Sequence, residues 1–331
     1  MNHRQGRWRR AWIWSVSILS TTALLLLVLL GVSLHHSDDR LSAIGARAVT
    51  PKAGEGGGSK HSRTSAPSDP TSTPTTSLST AADHVSPFGQ QTAGYLSSRT
   101  GDITAAVYDI DSGQSWIYHP GDVQDTASIV KVDIMATLMA QLTASNKPLS
   151  SSDTSLLTSM IEVSDNDSAT ALWNAVGGPS AISQFDFSIG MTETTPSLCL
   201  SCAGFSWPGW GLTTTTAADQ ITLLRQLALP GGPIADPQRE KALSLLENIT
   251  PSEDWGVSRG VPAGVAIALK NGWVPLPDGL WQIDSIGWID GGGRDYLVAV
   301  LTNGNPTEGY GIDTIDSLSS MIWAALGPPA S

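Results

Sequence analysis

The chain has 331 residues, 40 % of them hydrophobic and 15 % charged, a balance that suits a folded protein and excludes a wholly disordered one. Its formal charge is −12, but residues 1–86 hold nine of the 18 basic and five of the 30 acidic residues, which leaves a net −16 on 87–331. So acidic a region is a poor match for phosphate backbones, and nucleic acid is excluded as the main ligand.

The N-terminus reads as a membrane signal. Arg4, Arg7, Arg9 and Arg10 precede an uncharged, largely apolar run at residues 11–34. A helix needs about 20 such residues to cross the hydrocarbon core, and this run has enough. The arginines hold residues 1–10 in the cytoplasm, which predicts a single-pass signal-anchor in the cell membrane with the rest of the chain outside. Trp8, Trp12 and Trp14 stand where an interfacial aromatic belt would be. A cleaved signal peptide, giving a secreted protein, is the competing reading. Ala46-Arg47-Ala48 has the small-x-small form but lies far beyond the apolar run, and no lipid-acceptor cysteine follows that run. Residues 35–86 are rich in Gly, Ser, Thr and Pro, cannot bury a core, and are expected to form a flexible stalk.

A folded region is expected over 87–331. Residues 102–109, the turn Asp111-Ser112-Gly113 and residues 114–119 read as a β-hairpin. Helical patterns follow at about 128–144, 152–163, 167–176, 179–187, 215–229 and 237–248. Strands return at 264–270, 281–289 and 295–302, and an amphipathic helix closes the chain at about 312–325. Strands at both ends with helices between them predict an α+β fold: an antiparallel sheet flanked by terminal helices, with an inserted all-helical subdomain.

The only histidine after residue 86 is His119. A histidine-rich zinc site cannot be assembled there, and a Ser-His-Asp triad would have to use that one residue. No metal and no cofactor is expected, and a hydrolase here would take its base from another residue type.

Three short strings supply a candidate. Ser128-Ile129-Val130-Lys131 is an S-x-x-K at the start of a helix, after Asp125 and Thr126, either of which could cap it. Residues three apart share a helix face, so the lysine amine can reach the serine hydroxyl and, when neutral, remove its proton. Burial and a second cation would lower the lysine pKa as that role requires. Ser164-Asp165-Asn166 offers a hydroxyl to relay a proton and an amide to hold a carbonyl; a plain helix cap is its alternative. Lys270-Asn271-Gly272 closes the strand GVAIALK, with a cation and a glycine that permits close approach of a substrate backbone. An exposed lysine at a strand end is its ordinary explanation.

Taken together and in this order, these strings resemble the S-x-x-K, S-D-N and K-T-G set of penicillin-recognising active-site serine enzymes. The resemblance to class A β-lactamases extends over most of 101–325. SDNDSATAL followed by Gly177-Gly178-Pro179 and Phe185 is similar to that family's second segment. Thr214-Thr215-Thr216-Ala217 and the spacing of Pro262-Ala263-Gly264, Ile267-Ala268 and Lys270 agree as well. The resemblance implies that Ser128 is the acylated nucleophile, Lys131 its base and Ser164 a proton shuttle. It implies that Asn166 binds the acyl amide and that Lys270 favours an anionic transition state. Asn271, Gly272 and Trp273 would line the substrate site, with the backbone N–H groups of Ser128 and Trp273 as oxyanion hole.

The departures from the family pattern are specific. Members that destroy β-lactams carry a glutamate in E-x-x-L-N after SDN. Here the only glutamate between Ser164 and Glu240 is Glu193, without the rest of that motif. Slow deacylation is therefore expected. The interval from Ser128 to Ser164 is shorter than in familiar members, so a loop that walls the substrate is expected to be missing. Asn271 replaces the usual Thr or Ser and weakens the contact to a substrate carboxylate; Arg259 either replaces that contact or is an ordinary surface residue.

Cys199 and Cys202, the only cysteines, stand two residues apart in the loop that lacks the glutamate. In an exported domain they are expected to form a small local disulfide rather than a zinc site, since two thiols without histidines do not complete a zinc shell. A thioredoxin-like redox role lacks its βαβ setting. Trp207 and Trp210 follow, and most of the twelve tryptophans are expected in the core, with Trp273 the candidate for the cleft.

The expectation is an extracytoplasmic serine hydrolase, monomeric, acting on a β-lactam or a peptidoglycan peptide. A D,D-peptidase or a non-catalytic envelope module of the same fold is the alternative.

Overall fold

The computed structural model describes residues 85–202 and 207–327. The expected cytoplasmic end, the membrane anchor at 11–34 and all but the last two residues of the stalk lie outside the described residues.

The sheet joins a first pair of strands to the last three, and all pair antiparallel. Its order is β2 (Ser115–Tyr118), β1 (Asp102–Asp109), β7 (Arg294–Asn305), β6 (Trp281–Gly291), β5 (Ala266–Pro275). Alternation along the inner strands serves two cores at once. Tyr296, Val298 and Val300 of β7 face one side, and Leu297, Ala299 and Leu301 face the other. Both faces are therefore covered, and the strand reads as an unbroken apolar run. Each of these Val and Leu side chains contributes about 1.5–3 kcal/mol through burial.

Helices α1 (Gln90–Ser97) and α8 (Glu308–Ala325) cover the first face, placing Leu96, Ile315, Leu318 and Ile322 on it. The intervening helices cover the second: α2 (Val130–Ala144), α3 (Ser151–Glu162), α4 (Asn166–Val176), α5 (Gly178–Ile189), α6 (Ala217–Ala228) and α7 (Asp236–Glu247). A two-stranded ribbon of β3 (Gln124–Asp125) and β4 (Thr214–Thr215) ties the start of the helical region to its middle. The expected antiparallel sheet, terminal helices and helical insertion are thus present, although α1 and the ribbon were not expected. α1 buries little beyond Thr92 and Leu96, too faint a stripe for a periodic pattern.

Helix α2 is buried on all sides from Val130 to Met139, the pattern of a central helix. The stretch Ala127–Ala144 is long and apolar enough to cross a membrane, but 67 % of its residues are buried within the fold. Two charged-type residues sit in this apolar rod. Lys131 belongs to the site described below. Asp133 lies against Asp186 of α5, and both carboxyls are buried. Burial and then Asp186 push Asp133 well above its ordinary value, and burial lifts Asp186 to about 7.

A carboxyl with a raised folded pKa stabilises the fold below its unfolded value, and that contribution is lost as pH rises through the folded one. The loss here spans pH 3.8 to about 7 for Asp186. Asp133→Asn keeps a hydrogen-bond donor and removes one titrating group. It should raise Tm at pH 8 by about 3–6 °C, the shift for roughly one pKa unit, with little change at pH 4. Equal Tm changes at the two pH values, read by thermal scans, would refute the mutual effect of the two carboxyls.

Candidate active site

The site forms where the start of α2, the α3–α4 junction, the loop before β4 and strand β5 converge. Ser128 lies in a short 3-10 turn, Ala127–Ile129, that runs directly into α2. Neither Asp125 nor Thr126 caps this turn, contrary to the sequence expectation; no side chain does. Ala127 takes φ 42°, a left-handed value that costs a residue with a side chain about 1–3 kcal/mol. Ser164 takes φ 57°. The first precedes Ser128 in the chain, and the second bonds the Lys131 amine.

Lys131 is fully buried. Its Nζ lies 3.0 Å from Ser128 Oγ, 3.0 Å from Ser164 Oγ and 2.8 Å from Asn166 Oδ1, and it also donates to the Ser164 carbonyl. Desolvation, then the charge of Lys270, lowers its pKa from 10.5 to about 6; Glu253 and Asp165 pull the other way. An ammonium has three N–H groups and faces four oxygens here. The neutral amine has two N–H groups and one lone pair, enough to bond both carbonyl-type oxygens and to accept from one hydroxyl at a time.

The Ser164-Asp165-Asn166 string serves both of its readings. Asp165 caps α4 by accepting from Ser168 N at 2.7 Å, and this cap holds Ser164 and Asn166 against the amine.

Lys270 is buried, which corrects the strand-end picture. It lies mid-strand in β5, because pairing with β6 carries on to Pro275 opposite Trp281. Its Nζ donates to the Asn271 carbonyl at 2.8 Å and lies 3.6 Å from Glu253 Oε2. Burial lowers its pKa to about 8 against the opposing charge of Glu253.

Two further expectations are corrected. Asn271 does not line the substrate site: its side chain is fully buried and donates to the carbonyls of Glu253 at 2.7 Å and Trp255 at 3.1 Å. It props the segment before β5 instead. Gly272 serves the turn that carries Ser128 rather than a substrate backbone. A Cβ there would fall 2.8 Å from Ser128 N and 2.9 Å from Thr126 O, so only glycine lets β5 pack onto this turn. Since both obstacles are backbone, Gly272→Ala should displace the turn and cut acylation at Ser128 by about 10²-fold, the cost of misplacement near 1 Å. A rate within twofold of the parent, in a variant of unchanged Tm, would show that the strand does not hold the turn.

The cleft above Ser128 encloses about 220 Å³ and is lined by Ser128, Ser164 and Asn166 together with Trp207, Trp210, Trp273 and Trp281. Trp273 was expected there; Trp207, Trp210 and Trp281 were not. Trp207 stacks on Trp210 with centroids 5.8 Å apart, and the Trp210 ring centre lies 5.1 Å from Lys131 Nζ. Trp210 Nε1 donates to Thr170 Oγ1 of α4 at 3.2 Å, which fixes the indole. The disulfide Cys199–Cys202 forms as expected. It backs this loop: Gly209 N donates to Cys199 O at 2.7 Å, and a Cβ at Gly209 would collide with Cys202 Sγ.

Glu193 is exposed and does not line the cleft; its N–H donates to Asp219 at 2.9 Å. Arg259 is ion-paired with Asp316 at 3.2 Å, half-exposed and away from the lining. Among the described residues no cluster suits a metal ion.

Comparison with solved structures places this fold among class A β-lactamases. The last common ancestor of Gram-negative bacteria β-lactamase is 22 % identical, over 72 % of this chain and 99 % of that one, with a TM-score of 0.61. The TLA-1 extended-spectrum β-lactamase is 16 % identical over 71 % and 96 %, at TM-score 0.64. A β-lactamase from Xanthomonas campestris is 19 % identical over the same shares, at 0.61. At these identities the likeness is one of fold. Proteins of Mycobacterium tuberculosis and Mycobacterium bovis named "Putative lipoprotein LppW" are 26 % identical over 203 residues. The match takes in 60 % of this chain and 62 % of theirs, so it spans less than two thirds of those relatives' length. The model of the β-lactamase enzyme family matches residues 145–326, from the end of α2 through α8. That match covers more than half of the chain, and the protein belongs to the β-lactamase enzyme family.

Proposed function

We propose that the protein is an extracytoplasmic serine hydrolase that forms an acyl-enzyme on Ser128 with a β-lactam or a cell-wall peptide amide and deacylates slowly. The observation that carries this reading is the buried Lys131 amine, 3.0 Å from Ser128 Oγ and held neutral above about pH 6. Lys131 takes the proton of Ser128 as its Oγ bonds the carbonyl carbon. Ser164, at 3.0 Å from the same amine, passes a proton to the leaving nitrogen. The N–H groups of Ser128 and Trp273 receive the oxyanion, a contribution of about 2.7–4 kcal/mol per donor in comparable sites. Asn166 holds the acyl amide, and Lys270 supplies positive potential from below. No metal or cofactor enters this scheme.

Placement in the envelope rests on the arginine-led apolar run at 11–34 as a single membrane span, with 35–86 as stalk and 87–331 as the hydrolase domain. The relatives' name, lipoprotein, agrees with the compartment; no cysteine follows the apolar run here before Cys199. We take the protein as monomeric.

The test is intact-mass measurement of the full-length protein in detergent after mixing with a panel of β-lactams. A mass gain that disappears in Ser128→Ala supports the reading. A gain that persists in that variant would move the nucleophile elsewhere.

A further inference from the structure

We propose, building on the acyl-enzyme reading, that the cleft selects an uncharged acyl donor, a small ester or neutral amide bearing a flat or apolar group. A donor with a carboxylate beside the scissile bond is disfavoured.

The lining decides the charge preference. Among the described residues no titratable side chain lines the cleft; its polar side chains are Ser128, Ser164 and Asn166, and four indoles dominate the rest. Residues 203–206 of the same loop, Ala-Gly-Phe-Ser, carry no charge in sequence either. Nine cations exist after residue 86, and none of them is free in the cleft. Lys131 is buried as the base, and Lys270 is buried against Glu253 and the Asn271 carbonyl. Arg259, the one arginine near β5 in sequence, is paired with Asp316. Arg99, Arg225, Arg239 and Arg294 are engaged by Tyr310, Tyr108, Asp236 and Trp323. Lys147 follows the far end of α2, and Lys241 lies on α7.

Apart from the buried lysines, the titratable residues nearest the lining in sequence are acidic: Asp125 precedes the Ser128 turn, and Asp165 and Asp167 flank Asn166. Glu253, 3.6 Å from Lys270 Nζ, offsets the positive potential of that lysine, so an anion entering this cleft gives up hydration for little opposing charge, inside a region of net −16. A flat or apolar neutral group instead buries its surface on the indole faces. The volume of about 220 Å³ suits one ring or a short acyl chain rather than an extended peptide.

For an ester the step balances as follows. Ser128 Oγ bonds the acyl carbon, the bond from that carbon to the alcohol oxygen breaks, and the serine proton passes through Lys131 Nζ to the departing alkoxide. Water then cleaves the acyl-serine to the acid and restores Ser128.

A matched pair isolates the charge: one chromogenic cephalosporin as free carboxylate and as its methyl ester, with the same reactive ring. A neutral fluorophosphonate, followed by intact mass on the full-length protein and on Ser128→Ala, reports the nucleophile independently. Ser128 should be labelled, and the methyl ester should acylate it at least about 10-fold faster than the free acid, since each 1.4 kcal/mol of mismatch is tenfold. Labelling at Ser128 with the free acid equal or faster would overturn the charge preference and leave the acyl-enzyme reading standing. Failure of the fluorophosphonate to label Ser128 would overturn that reading and this inference with it.

Discussion

Replacing Lys131 with methionine should slow acylation of Ser128 by about 10²–10⁴-fold, the usual contribution of a positioned general base. Methionine fills a similar volume and removes a buried amine, so the fold should survive the change. A lysine whose folded pKa lies below its unfolded value weighs against the fold increasingly as pH falls, because the charged form must be desolvated. For Lys131 that window runs from 10.5 down to about 6. The variant should therefore match or exceed the parent's Tm, most clearly at pH 5. In the parent, acylation should climb as pH rises through about 6, where Nζ loses its proton, and decline above about 8, where Lys270 loses its charge. An ordinary lysine would place the rising limb near 10.5. Acylation rates read by intact mass across pH 5 to 10 check both limbs. A flat profile in this range, or a Lys131→Met variant as fast as the parent, would remove the amine from the reaction.

The second large effect concerns turnover. Mixing the protein with a chromogenic cephalosporin should give a burst equal to the enzyme present, then a steady rate about 10²–10⁴-fold below acylation. The reason is what occupies the loop before β4. Where the family pattern supplies a glutamate to activate water, this loop presents Trp207 and Trp210, and the Trp210 indole stands 5.1 Å from the amine. An indole has one N–H donor and no basic site, and here that donor is committed to Thr170. The Lys131 lone pair is left as the base for water, beside an acyl group that fills the cleft. Glu193→Gln should leave both phases unchanged, since Glu193 is exposed and its N–H is tied to Asp219. Rapid steady turnover without a burst would show that a base operates which this geometry does not contain.

The parts of this site that lie close together in sequence were legible from it. Ser128 and Lys131 meet because three residues of helix bring them to one face, whatever the rest of the chain does. Ser164 and Asn166 flank a capping aspartate, and the cap geometry that starts α4 also aims both side chains at one point. Most helices and strands follow from periodicity, α1 and the β3–β4 ribbon excepted, and the pairing of Cys199 with Cys202 follows from their spacing.

Properties that depend on partners far away in sequence were not legible. Lys270-Asn271-Gly272 reads as the end of a strand, since Asn and Gly are turn formers. β6 supplies ladder partners through Pro275, so the strand continues and buries the lysine. Which face Asn271 takes is set by that ladder and by the carbonyls of Glu253 and Trp255, and it turns the amide away from the cleft. Gly272 owes its role to the Ser128 turn, more than a hundred positions earlier.

By itself, the sequence determined the α+β architecture, the Ser128–Lys131 pairing and the missing glutamate, because each is written in local pattern or in composition. Only the tertiary structure decided that four indoles from separate segments converge on the serine and that every nearby cation is already engaged. Convergence and charge pairing are sums over contacts between distant segments, and no local window of the chain contains them.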